Sequence, residues 1–222
     1  MIKAVVFDFD GLILDTESVW FECYQEVLRT YKMELALEQF APSIGTHGTE
    51  FLDYIDLTLK QPGISAEVDQ AVSRLHDQKM EHLEARAGVH EYLAEAQQLG
   101  LKIGLATSSN RAWIERFLTK LGLADYFQVI RTSDDVMKVK PDPELYTQVV
   151  TALGVEPYEA LAFEDSLNGL TAAKAAGLRC TIVPNPVTSF LPFEHHDLRL
   201  TSMTDMTLTE IIERLNESTA KG

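Results

Sequence analysis

Five short apolar runs recur along the chain, at residues 3–7, 101–107, 128–131, 160–163 and 179–183. The first, Lys-Ala-Val-Val-Phe, carries β-branched residues and lacks polar alternation, the pattern of a strand buried on both faces, and the others are runs of the same mostly apolar kind. Most of them are separated by segments with a helical period: 89–99, 112–121, 144–153 and 167–176. Each of these segments stops at a glycine, at positions 100, 122, 154 and 177, which signals a left-handed helix C-cap. In the second helix Asn110 is placed to cap the N-terminus, and Trp113, Ile114, Phe117, Leu118 and Leu121 form one apolar stripe, expected to face a sheet as core. Strand-like and helical runs in alternation predict β/α units and a parallel sheet.

Between the first run and the second the alternation breaks. Val19, Trp20, Cys23, Tyr24, Val27, Leu28 and Tyr31 share one helical face, Phe51, Leu52, Tyr54, Ile55 and Leu59 suggest another helix, and no convincing strand lies among them. Residues 17–85 are therefore expected to form a helical insertion, with residues 1–16 and 86–222 making the α/β part. Two chain crossings close together form a natural hinge. The stretch Pro184 to Asp205 reads as a proline-bearing loop region ahead of a last helix.

Composition narrows the function without naming it. The 222 residues suffice for one large domain or a domain with an insertion, and 45% apolar with 24% charged residues is ordinary globular usage. Thirty-four acidic against nineteen basic residues give a formal charge of −15, the wrong sign for neutralising nucleic-acid phosphates. Cys23 and Cys180 are far apart and lack zinc-ligand spacing, so a reduced, cytoplasmic protein is expected. The first apolar run is too short for a signal-peptide core, and no run reaches membrane-spanning length; neither export nor a membrane partner is expected. The acceptor pattern Asn216-Glu217-Ser218 carries no weight without a secretory signal. No partner-binding patch is evident, and a monomer is expected.

Four local features carry chemistry. Asp8-Phe9-Asp10-Gly11 ends the first run, and in an open α/β sheet ligands bind at that end of the strands. Its two carboxylates repel unless a cation or proton lies between them, and Mg²⁺ would relieve that repulsion. A helix N-cap cluster is the alternative; for a calcium loop the glycine comes too early. Thr107-Ser108-Ser109-Asn110 opens a helix, where hydroxyls and free amides either bind phosphate or simply cap. In Lys138-Val139-Lys140-Pro141-Asp142-Pro143 the prolines prepare a helix start, and a lysine in that setting, read by itself, is a solvated surface residue. Phe163-Glu164-Asp165-Ser166, followed by Asn168-Gly169, is a second acidic pair at a strand end, suited to a hard cation or, through Asp165 or Ser166, to capping the next helix. All four lie at or just after the ends of predicted strands, and that convergence favours a catalytic site.

Asp8-Phe9-Asp10-Gly11, Thr107-Ser108, Lys140-Pro141 and Glu164-Asp165 stand in the order and approximate spacing of the haloacid dehalogenase superfamily, and the resemblance spans nearly the whole chain. With a helical insertion after the first strand, the chain resembles the subgroup that holds β-phosphoglucomutase and sugar-phosphate phosphatases. The resemblance implies an α/β fold with a Rossmann-like parallel sheet core, helices on both faces, and a small inserted all-helical cap. It also implies that Asp8 is a nucleophile forming an aspartyl-phosphate, and that Asp10 protonates the leaving oxygen and then activates water. Mg²⁺ would be held by Asp8, the backbone carbonyl of Asp10 and Asp165, with Glu164 supporting that shell. Thr107, the amides from Ser108 onward and Lys140 would hold the phosphoryl oxygens.

An aspartate at position 10 argues against C–Cl hydrolysis and makes small phosphorylated metabolites the expected substrates. The segment from Ile44 to Thr49 lies where this subgroup places its specificity loop, so Gly45, Thr46 and His47 are candidate substrate contacts from the cap. The mutase carries a substrate-binding arginine in that loop. Here Gly48 stands at about that place and no arginine occurs between Arg29 and Arg74, which favours a phosphatase over a phosphomutase. A non-catalytic ligand-binding member is the other alternative, opposed by the presence of every motif residue.

Overall fold

A computed structural model of the protein describes residues 1–40, 43–44 and 49–219. Six parallel strands form one sheet in the order β3-β2-β1-β4-β5-β6, the doubly wound, Rossmann-like arrangement. The strands are β1 (Ala4–Phe7), β2 (Lys102–Ala106), β3 (Val129–Arg131), β4 (Ala160–Glu164), β5 (Arg179–Ile182) and the two-residue β6 (Leu198–Arg199). The last falls inside the stretch read from sequence as loop. A two-residue strand has no period to detect, and it pairs only because Asp197 and Leu200 donate backbone N–H bonds to Cys180 and Ile182 across the edge of β5.

Among the described residues the helices are α1 (Thr16–Thr30), α2 (Leu37–Phe40), α3 (Thr49–Leu59), α4 (Ile64–Met80), α5 (Val89–Gln98), α6 (Arg111–Leu121), α7 (Glu144–Leu153), α8 (Leu167–Ala175) and α9 (Leu208–Thr219). None is long and apolar enough to cross a membrane.

The chain divides into two compact units: residues 1–14, 84–184 and 191–222, and residues 15–83 with 185–190. The first holds the sheet. Successive side chains of β1 point to opposite faces, so Ala4 and Val6 pack with Leu145, Tyr146 and Val149 of α7, while Phe7 stacks on Phe163, which Tyr92 of α5 meets edge-on. Helix α7 sits tightly on β2 because Gly104 has no side chain to hold Val149 away. Near the crossing at residue 84, the Arg86 guanidinium donates to the carbonyls of Gly11, Val183 and Pro184 at 2.5, 3.1 and 2.8 Å, tying the loop after β1 to the end of β5.

The second unit is helical. α1 packs on α4 and α3 on α4, around an aromatic group of Tyr24, Phe40 and Phe51. The Tyr24 hydroxyl donates to Asp69 at 2.6 Å, and the ring of His76 stacks on Trp20 with centroids 3.7 Å apart.

Candidate active site

β1 lies between β2 and β4, with Phe7 in register with both Leu105 and Phe163. In parallel strands an in-register start also aligns the ends, so the residues following Phe7, Ala106 and Phe163 emerge side by side where the strand order reverses. Asp8 continues the ladder by one bond, its N–H donating to the Phe163 carbonyl at 3.1 Å, and Thr107 does the same toward Arg131 at 3.0 Å. The rigid sheet thus presents Asp8, Thr107 and the pair Glu164-Asp165 together, all of them buried.

A buried ion cluster joins them. Lys140 arrives on the loop between β3 and α7, next to a cis bond to Pro141, and its ammonium donates to Asp8 Oδ1 at 2.5 Å and to Glu164 Oε1 at 2.6 Å. The lysine is only 8% exposed, which corrects its reading as a surface residue. Two carboxylates brought from β1 and β4 supply what a local sequence window cannot show. Tyr146, from the core face of α7, donates its hydroxyl to the same Glu164 oxygen at 2.7 Å. The other oxygen of Glu164 accepts from the Asp165 N–H at 3.1 Å and the Ser166 hydroxyl at 3.1 Å. Ser166 caps α8 as well, accepting from the Gly169 N–H at 3.0 Å, so the capping alternative and the acidic site coexist. These bonds hold both oxygens of Glu164 in place, one of them against the Lys140 ammonium.

Charge in this cluster is unbalanced. Asp8, Glu164 and Asp165 offer carboxylate oxygens within 4.8 Å of one another, against one ammonium. Burial pushes the Asp8 carboxyl up, to about 8, with repulsion from Glu164 and Asp10 adding to it and Lys140 opposing. Burial works against the Lys140 charge too, but Asp8 and Glu164 outweigh it and hold the ammonium protonated. Tyr146, raised by burial and then by Glu164, keeps its proton and remains a donor. A hard divalent cation fits this donor set: it is all oxygen, it is excluded from water, and it carries negative charge that the protein's own groups do not match.

Asp10 stands apart from that cluster. Its Oδ2 accepts from the Ser109 hydroxyl at 2.6 Å and its Oδ1 from the Trp113 indole N–H at 3.0 Å. Trp113 is thereby moved out of the core stripe to which its spacing assigned it; Ile114, Phe117 and Leu118 are the buried members of that face. Asn110 caps α6 as expected, accepting from the Trp113 backbone N–H at 2.9 Å. Thr107 is buried and its hydroxyl accepts from the Ser109 N–H at 3.1 Å, while Ser108 is exposed. Gly45, Thr46 and His47 lie outside the described residues.

Sequence reasoning assigned no site role to Tyr146, Trp113 or Gly169, and it gave Ser109 only a place in the phosphate-binding or capping segment, not a contact with Asp10. The first two are aromatic members of helical stripes, where a polar tip does not disturb the apolar period. Gly169 is a helix-interior glycine beside an acidic pair, a signal that could have been used.

The profile of the haloacid dehalogenase-like hydrolases matches residues 5–183. YhcW of Bacillus subtilis, which carries a provisional phosphatase name, is 47% identical over 217 residues, covering 97% of this chain and 99% of its own. Hexitol phosphatase B of Escherichia coli (strain K12) is 30% identical over 217 residues, covering 95% and 97%. Among solved structures, a variant of CbbY from Rhodobacter sphaeroides in complex with xylulose-(1,5)bisphosphate is 29% identical with a TM-score of 0.73, covering 94% of this chain and 98% of that one.

Proposed function

Since the chain belongs to the haloacid dehalogenase-like hydrolases, we propose that it is a Mg²⁺-dependent phosphatase acting on a small phosphorylated sugar or polyol through an aspartyl-phosphate. The single observation that carries this reading is the Lys140 ammonium held between Asp8 and Glu164 at the ends of adjacent strands. The relatives add the substrate class, one being named for hexitol phosphates and one binding a sugar bisphosphate.

In this mechanism an Asp8 oxygen attacks phosphorus and the bond to the ester oxygen breaks, while Asp10 gives that oxygen its proton. Water then attacks phosphorus, Asp10 takes a proton from it, and the bond to Asp8 breaks to release inorganic phosphate. Lys140 and the amides after Thr107 bind the equatorial oxygens, where charge is spread in the transition state. Asp8 and Asp165 would hold the Mg²⁺, which when bound would keep Asp8 ionised and offset the charge of the transferring group. Residues 17–85 would act as the cap that admits substrate and excludes bulk water. The two free, buried thiols, Cys23 and Cys180, suit a reducing cytoplasm.

The test is inorganic phosphate release from a panel of sugar and polyol phosphates with Mg²⁺, with Asp8→Asn run beside the wild type. Release by the wild type alone supports the mechanism. Absence of release from every ester, or interconversion of β-glucose 1-phosphate and 6-phosphate faster than hydrolysis, overturns it.

A further inference from the structure

We propose that Trp113 is a positioning residue for Asp10, fixing the plane of its carboxyl group and leaving Oδ2 as the oxygen that gives and takes the proton. The proposal rests on the phosphatase reading above and adds a residue that the motifs do not contain.

Both sides of the contact are held rigidly. Trp113 is in the first turn of α6, with its backbone N–H on the Asn110 cap and its ring against Phe117 one turn on, centroids 4.6 Å apart. Asp10 is in a short turn closed by the Gly11 N–H on the Leu14 carbonyl at 2.6 Å, and the Gly11 carbonyl is itself held by Arg86. These bonds fix the two backbones, and the side chains are then held by the ring contact with Phe117 and by the indole and Ser109 hydrogen bonds to the two Asp10 oxygens.

The chemistry of the two donors then differs. An indole N–H only donates, whereas a hydroxyl donates or accepts by rotating. A proton on Oδ1 would point donor at donor along the 3.0 Å contact to Trp113. A proton on Oδ2 meets Ser109 at 2.6 Å, whose hydroxyl turns to accept it or turns away to leave it for substrate. In the first half-reaction the proton leaves Oδ2 for the ester oxygen as the phosphorus–oxygen bond breaks. In the second half-reaction the same oxygen receives the proton of the attacking water. The carboxyl returns each time to one orientation because Oδ1 stays on the indole.

Trp113→Phe keeps the ring on Phe117 and removes only the N–H. The readout is kcat/KM, which reports the first transfer, for two esters: a hexitol phosphate, whose alkoxide needs a proton, and p-nitrophenyl phosphate, whose phenolate does not. The expected result is a loss of roughly 10- to 100-fold on the hexitol phosphate with less than threefold on the aryl ester, and less than twofold further loss when the change is made in Asp10→Asn. Ser109→Ala is expected to show the same leaving-group dependence, and it carries the test if Trp113→Phe does not fold. Equal losses on both esters, no loss on either, or a full additional loss in the Asp10→Asn background would overturn the proposal while leaving the phosphatase reading intact. A wild type inactive on both esters would remove that reading and this proposal with it.

Discussion

Gly169 lies against the carboxylate of Glu164 so closely that a Cβ on residue 169 would overlap it. Glycine inside a helix is ordinarily about 1 kcal/mol worse than alanine. Here the sign reverses, because Glu164 is fully buried and is fixed by Lys140, Tyr146 and Ser166. Gly169→Ala is expected to destabilise the protein by roughly 2 kcal/mol or more, a fall in Tm of about 4–8 °C. Thermal unfolding followed by circular dichroism checks this, and an unchanged or higher Tm would show that Glu164 yields.

Among the described residues, Lys140 is the cation that bridges the buried carboxylates of Asp8 and Glu164, so its removal strands them. Lys140→Met is expected to lower stability by about 3–5 kcal/mol and phosphate release by roughly 100-fold or more. Lys140→Arg is not expected to rescue either property, since a planar fork cannot take the place of a point charge in a site closed by Tyr146 and Glu164. Urea unfolding and a phosphate assay on the three proteins decide both points.

Metal removal is the third test. Chelation is expected to stop phosphate release, with recovery on added Mg²⁺. Added Mg²⁺ should also raise stability by mass action, about 2.7 kcal/mol at a concentration one hundred times its Kd. Asp165→Asn should abolish that rise, because Asp165 is one of the three buried carboxylates of the cluster.

In the helical unit, acid sensitivity should trace to His76. Burial lowers the imidazole from 6.5 to about 4, with Asp77 opposing. The folded protein therefore keeps this ring neutral on Trp20 while the unfolded chain takes up a proton below about pH 6.5. Its contribution is undisturbed above 6.5 and is lost as pH falls toward 4, about 2 kcal/mol of it by pH 5. In His76→Phe the difference between the unfolding free energies measured in urea at pH 7.5 and pH 5 should shrink by about that amount.

The five main strands, the helices that connect them and the left-handed glycine at residue 122 were legible in sequence, because burial period and cap chemistry are local. Asp8, Thr107, Glu164 and Asp165 were legible as candidates for one site because all of them fall at or just after the ends of predicted strands, although each motif read alone also suited helix capping. What the sequence left open was decided by distance in space. Lys140 is a plausible surface residue in its own segment, and only the approach of β1 and β4 makes it the buried counter-charge of Asp8 and Glu164. Trp113 and Tyr146 obey the apolar period of their helices, and only tertiary packing brings their N–H and O–H to Asp10 and Glu164. Hydrophobic spacing reports which face of an element is buried; it carries no record of which polar atom waits on the other side.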